Sequence, residues 1–517
     1  MGAVNHRQPW GDADMTRGRG IRRSAALAVA LGLGLSGSLV AGPAGAEEKE
    51  APTVRWGSCP EDVAAEAAPV VLECGTVLVP KDYADPGGDR IELMISRLAS
   101  TNPDKRRGTL MLNPGGPGGS GLSQPAFLAN RGIPSEVLDT YDVIGMDTRG
   151  IGRSAPVACG FTPEGPYFAN IPPYAVDDAA VTARAKVVKE VAEQCARRDK
   201  DGVLPHLTTA NTARDLDRIR AALGERKTSF LGYSYGTALG AAYASMFPER
   251  SDRIVLDSNI GDTHLDRDGM RRYALGVEQT FPDFARWAAA RHDSYGLGRT
   301  PAEVRRTYFT LAERLDEKPV DGFDGNVLRQ LTFGYLFKEV QYAKLAQHWQ
   351  ALKSGDTASV RAADAGGEAA DTPPSLDNQL SVFLAVSCND IAWPTSVNTY
   401  RKGVAEDRAR YPMFGAATAN ITPCAYWPYA PAEQPVAIDD EGPRNILLVQ
   451  NLRDVPTPHV GGKLLRKKFA DRSRLVSVDD SGHGVYVYGD NPCALNTTTR
   501  YLVDGKMPGK DTFCRAG

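Results

Sequence analysis

The stretch that most constrains this chain runs from Lys227 to Phe247. Lys227-Thr-Ser-Phe-Leu231 is a short apolar run suited to a buried strand, and Thr237 to Phe247 carries the small and apolar pattern of a helix. Between them lies Gly232-Tyr-Ser-Tyr-Gly236. A Gly-x-Ser-x-Gly held between strand and helix is the setting of a nucleophile elbow, where the Ser sits on a strained turn above a sheet edge. Gly232 and Gly236 suit such a turn because strand and helix approach too closely for side chains. Ser234 is therefore the candidate nucleophile. The competing reading, an ordinary glycine-rich turn, makes no demand on the rest of the chain.

A nucleophilic Ser does make demands, because it needs a base and the base needs an orienting acid. Among seven histidines, His483 stands apart. It lies in Asp480-Ser-Gly-His-Gly484, after the strand-like Ser473 to Val478, with glycines that leave the loop free to aim the ring. In α/β-hydrolases the order is Ser, then Asp or Glu, then His after the last strand, and His483 fits that place. Asp454 is the candidate acid. It lies four residues beyond the apolar run Asn445-Ile-Leu-Leu-Val-Gln450, in a loop stiffened by Pro456 and Pro458. Asp257, ending Arg253-Ile-Val-Leu-Asp257, competes for the same role, and Thr457 is either a support for Asp454 or a loop cap.

The remaining part is an oxyanion hole. Thr109-Leu-Met-Leu112 reads as a strand and leads into Asn113-Pro-Gly-Gly-Pro-Gly-Gly-Ser-Gly121. Five glycines in nine residues leave backbone N–H groups open to a substrate carbonyl. The N–H of Gly116 would join that of Tyr235, the residue after the nucleophile. The loop lacks the Gly-Lys-Ser/Thr ending of a phosphate-binding loop.

Together with Asp147-Thr-Arg-Gly-Ile-Gly-Arg-Ser154 and Glu73-Cys-Gly-Thr-Val-Leu-Val-Pro-Lys-Asp-Tyr83, these segments resemble the prolyl-aminopeptidase branch of the α/β-hydrolases. Within it the chain is most similar to secreted bacterial tripeptidyl aminopeptidases, from about Trp56 to Cys514. Pro114 stands where prolyl aminopeptidases carry His, so the resemblance does not extend to proline-imino specificity. It implies an α/β-hydrolase fold and a serine exopeptidase that releases short peptides, typically tripeptides, from free N-termini. Two other readings stay open: a carboxylesterase using the same triad on small esters, and a binding protein on a hydrolase scaffold.

The resemblance leaves a large part of the chain to account for. Core segments at 47–260 and 436–517 flank about 175 residues, 261–435, that read as a helical cap over the carboxyl edge of a mostly parallel sheet. Met270–Val277, Pro301–Leu315 and Tyr335–Leu345 show helical spacing there, and Ala363–Pro374 reads as a connector. An exopeptidase must hold the substrate ammonium at a fixed distance from the scissile bond, and Asp390 is the cap carboxylate to test. Its plainer reading is a helix N-cap before Ile391.

The amino terminus reads as a leader over residues 1–46. A basic Arg17 to Arg23 precedes an apolar Ala25 to Val40 and Ala44-Gly-Ala46, a cleaved signal peptide that implies secretion without a membrane anchor. Met15 is an alternative start, and Arg22-Arg23 hints at twin-arginine export. Removing the leader's five Arg and two Asp takes the formal charge from −3 to about −6, with no basic stripe for nucleic acid. Eight cysteines in an exported chain suggest disulfides, nearest-neighbour pairing being the simplest of 105 patterns. No His or Cys spacing indicates a metal, no cofactor is implied, and a monomer is expected.

Overall fold

The structure, a computed structural model, describes residues 54–364 and 374–516. The leader expected over 1–46 and most of the expected connector lie outside the described residues. Among the described residues ten strands form one sheet: β1 (Gly57–Ser58), β2 (Glu73–Pro80), β3 (Arg90–Leu98), β4 (Gly108–Asn113), β5 (Tyr141–Met146), β6 (Thr228–Tyr233), β7 (Ser251–Asp257), β8 (Ile446–Arg453), β9 (Ser473–Ser481) and β10 (Thr512–Cys514). Their order across the sheet is β1-β2-β3-β5-β4-β6-β7-β8-β9-β10. The first three strands pair antiparallel, and every pairing from β5 to β10 is parallel.

Residues of β4, β5 and β6 are buried throughout, as expected where helices cover both faces of a parallel sheet. This is the α/β-hydrolase fold. Parallel strands also place all their carboxyl ends on one edge, where such sheets carry their sites. Among the strands with active-site candidates, β4, β6, β7, β8 and β9 lie side by side.

The described residues between 261 and 435 are mainly helical, with Arg267–Ala289, Pro301–Glu317, Gly325–Tyr335, Tyr342–Ser354, Leu376–Asp390 and Val397–Arg410 as the longer elements. Their shared interior is aromatic: Phe284 meets Trp349 edge-on at 5.2 Å and Tyr342 at 5.4 Å between ring centroids. Such pairs add about 0.5–1.5 kcal/mol each beyond the area they bury. The helix Asp178–Arg198, assigned from sequence to the first core segment, packs with this region. Its Val181, Ala185 and Val188 share a buried cluster with Tyr400, Val404 and Ile421. The helix expected over 335–345 is instead a break. One helix ends at Tyr335, a 3-10 turn spans Glu339–Gln341, and another helix starts at Tyr342. Helical spacing continued through the break because Leu336, Phe337 and Leu345 are all apolar, yet Phe337 is turned toward His483.

The four disulfides join Cys59 to Cys74, Cys159 to Cys195, Cys388 to Cys424, and Cys493 to Cys514, which is the nearest-neighbour pattern. Among the described residues no helix is long and apolar enough to cross a membrane.

Candidate active site

Ser234 follows β6 directly and adopts φ 57° and ψ −123°, a region that non-glycine residues rarely enter and that costs roughly 1–3 kcal/mol. Three contacts hold it there. Its N–H donates to the Asp257 carbonyl at 3.0 Å, and its own carbonyl accepts from Thr237 N–H at 2.9 Å and Thr237 Oγ1 at 2.6 Å. A Cβ on Gly232 would lie 2.3 Å from the Gly236 carbonyl oxygen, so the close approach read from the motif is present.

The glycine-rich loop after β4 packs against this turn. A Cβ on Gly115 would fall 2.6 Å from the Tyr233 carbonyl and 2.8 Å from Ser234 Cβ, at φ +103°. The Gly115 N–H is taken by Asn113 Oδ1 at 3.0 Å. A Cβ on Gly115 would also fall 3.3 Å from the nitrogen of Tyr235, one expected oxyanion donor; Gly116, the other, is the next residue of the loop. The loop is braced by Asp147, which accepts from Ser120 Oγ and from the Arg153 N–H at 2.8 Å. The Asp147–Ser154 motif is thus scaffolding. Arg149 continues it, pairing through two 2.7 Å bonds with Asp215 in a buried ion pair.

Asp454 and His483 meet. The His483 Nδ1 lies 3.0 and 3.1 Å from the two Asp454 carboxylate oxygens. A carboxylate only accepts, so Nδ1 carries the proton and Nε2 is left as the basic nitrogen. Asp454 is fully buried and also accepts the Thr457 N–H at 3.1 Å, while Thr457 Oγ1 lies 3.2 Å from Nδ1. Strand β8 runs to Arg453, so Asp454 immediately follows it and does not lie four residues beyond it. The additional length comes from pairing with β9, which polar residues Asn451 and Arg453 join as readily as the apolar run.

Asp257 does not contact the imidazole. Its carboxylate instead accepts the N–H groups of Val485 at 3.0 Å and Tyr486 at 2.6 Å, and the Ser258 hydroxyl at 3.0 Å. Burial raises its pKa to about 7. The backbone of the His483 loop is held on other sides as well. Gly482 N–H donates to Arg453 O, Asn451 Nδ2 donates to Gly482 O at 2.8 Å, and Gly484 N–H donates to Ser258 Oγ at 2.9 Å. From the helical region, Phe337 O accepts the His483 N–H at 2.8 Å, and its ring stands edge-on to the imidazole at 5.2 Å. Ser258, Asn451 and Phe337 were not singled out in the sequence, and no local pattern marks them.

Asp390 sits elsewhere than expected. It is the last residue of Leu376–Asp390, not a cap that opens a helix, and it is buried. Both its oxygens accept from Thr209, Oδ1 from the N–H at 2.7 Å and Oδ2 from Oγ1 at 2.6 Å. Thr209 is the first residue of another helix, so Asp390 serves that helix's amino end across the fold. The Thr209 hydroxyl is in turn 2.6 Å from Tyr235 Oη, behind the nucleophile turn. Burial raises the Asp390 pKa to about 7.

Known proteins resemble the chain over most of its length. A family model described as TAP-like protein matches residues 411–514, the part that carries Asp454 and His483. Tripeptidyl aminopeptidase of Streptomyces lividans is 36% identical over 470 residues, covering 88% of this chain and 86% of that protein. Serine protease Hip1 of Mycobacterium tuberculosis is 29% identical over 495 residues, covering 91% and 92%. Carboxylesterase B of M. tuberculosis is 30% identical over 483 residues, covering 90% of each chain. Similarity of that depth over nearly the whole length of the Streptomyces peptidase means that the chain belongs to the TAP-like serine peptidases of the α/β-hydrolase fold.

Proposed function

We propose that this enzyme is a secreted serine exopeptidase that releases short peptides, tripeptides foremost, from free N-termini through an acyl-enzyme on Ser234. The observation that carries the reading is the Asp454–His483 pairing at 3.0 and 3.1 Å, beside a nucleophile turn in strained geometry. In the proposed cycle, His483 Nε2 takes the Ser234 proton as Oγ attacks the scissile carbonyl. Asp454 holds the tautomer and stabilises the imidazolium. The N–H groups of Gly116 and Tyr235 receive the oxyanion, each such donor being worth about 10²–10³ in rate. The imidazolium then protonates the leaving amine, and water attacks the acyl-enzyme by the same route reversed. Peptides with a free N-terminus are the partners this reading requires, and the enzyme acts as a monomer without cofactor.

A second reading has one observation in its favour, the 30% identity to a protein named Carboxylesterase B. Initial rates on Ala-Pro-Ala-p-nitroanilide, its N-acetylated form, shorter peptide anilides and p-nitrophenyl butyrate separate the two. Cleavage of the free tripeptide anilide, abolished by acetylation and by Ser234→Ala, is the expected result. Turnover of the ester alone would replace the peptidase reading with the esterase one.

A further inference from the structure

Nucleophile and base come from strands that do not touch. Ser234 follows β6 and His483 follows β9, with β7 and β8 between them. Hydrogen bonding between Asp454 and the ring orients the imidazole, but it does not tie the His483 loop to the nucleophile turn. The Tyr233 hydroxyl donates to the Tyr486 carbonyl at 2.9 Å, a direct tie through one long side chain, and a second tie passes through β7 between them.

Asp257, at the carboxyl end of β7, reaches both sides. Its backbone carbonyl accepts the Ser234 N–H at 3.0 Å. Its carboxylate accepts the N–H groups of Val485 and Tyr486, two and three residues beyond His483. Its neighbour Ser258, at φ +62°, gives a hydroxyl to the carboxylate and accepts the Gly484 N–H. One residue and its neighbour thus hold the nucleophile's amide and three successive amides after the base. Asp257 and Ser258 are both fully buried.

The chemistry of the group matters as much as its place. Two backbone N–H groups and one hydroxyl converge on this side chain, and only a carboxylate offers acceptor oxygens alone. An Asn there would turn its amide N–H toward a backbone N–H. Among the described residues no Lys or Arg pairs with Asp257, and burying such a carboxylate is costly. The charged imidazole of His483 favours the ionised form of Asp257.

We propose that Asp257 is a positioning residue that sets the separation between Ser234 and His483 by holding the nucleophile turn through its carbonyl and the histidine loop through its carboxylate. The inference rests on the reading of Ser234 and His483 as nucleophile and base. Misplacing a reacting group by about 1 Å costs up to about 10²-fold in rate.

The test is Asp257→Asn in the full chain, assayed on p-nitrophenyl butyrate, with kcat expressed per Ser234 labelled by a fluorophosphonate. Normalising to labelled sites removes any unfolded fraction. The expected result is a kcat lower by roughly 10- to 100-fold with KM within about twofold. The low-field proton resonance of His483 Nδ1–H should broaden in this variant and vanish in Asp454→Asn. A kcat within threefold of the parent, with a sharp resonance, would overturn the proposal. If Asp257→Asn does not fold, Ser258→Ala decides: it frees the Gly484 N–H and takes one hydroxyl donor from the Asp257 carboxylate, should lower kcat by roughly three- to tenfold, and overturns the proposal if kcat is unchanged. Ser234→Ala in the same assay separates this from the reading beneath it. If that variant still turns over ester, the nucleophile assignment fails regardless of Asp257.

Discussion

The nucleophile turn and the histidine loop do related work by different construction. Ser234 is held largely by neighbours in sequence, with a strand before, a helix after and Thr237 on its carbonyl, and from farther away by the Asp257 carbonyl and the Gly115 contact. His483 is held by residues far along the chain, Asp454, Asp257, Ser258, Asn451 and Phe337, which come from two strand ends, those of β7 and β8, and the helical region. A strained turn between two regular elements can be specified locally, because the elements on both sides fix its ends. A loop that must present an imidazole to a distant partner cannot, so its backbone amides are tied one by one.

That contrast can be broken in graded ways. Ser234→Ala and Asp454→Asn should have the largest effects, with kcat on the tripeptide anilide down by about 10⁶-fold for the first and about 10⁴-fold for the second, while melting temperature moves little. A loss under tenfold in Asp454→Asn would mean that another group orients the ring. Gly115→Ala comes next. Its methyl would press on Tyr233 O and Ser234 Cβ, so about a 10²-fold fall in kcat is expected, together with slower fluorophosphonate labelling of Ser234. Phe337→Ala removes only a ring from the histidine loop and leaves the backbone bond, and should cost about tenfold in kcat. If Phe337→Ala proved as damaging as Gly115→Ala, the helical region would be doing more than bracing.

Asp390 supplies the smallest and sharpest comparison, because it supports the nucleophile turn only through Thr209 and Tyr235. Its folded pKa is about 7 against 3.8 unfolded, so between those values the folded chain holds a proton that the unfolded chain has released. Stability from this group therefore falls as pH rises from about 4 to 7, by up to roughly 4 kcal/mol. Asp390→Asn should remove that decline. The difference in melting temperature, variant minus parent, should be more positive at pH 8 than at pH 4. A constant difference across that range would show that Asp390 titrates normally.

Much of the sheet was legible before the structure. The runs at 109–112, 141–147, 227–231, 253–257, 445–450 and 473–478 are all strands, because a parallel sheet buried on two faces demands continuous apolar residues. Local pattern failed where tertiary contacts overrode it. Helical spacing across 335–345 hid a break whose purpose is to bring Phe337 to His483, and β8 ran past its apolar residues by pairing with β9. Asp390 looked like a cap for its own chain direction and instead serves the helix that starts at Thr209.

By itself the sequence determined the strand–turn–helix around Ser234, the glycine-rich loop after β4, and the candidate triad members in their chain order. Each rests on short-range sterics or on apolar periodicity, which neighbouring residues are enough to express. Only the tertiary structure decided which buried carboxylate meets the imidazole. Asp257 and Asp454 both end or follow a parallel strand beside the site; chain order and the loop stiffened by Pro456 and Pro458 favour Asp454, but only a distance decides between them. The choice was made by register between β8 and β9, which sets Asp454 under the His483 ring and leaves Asp257 to the amides behind it.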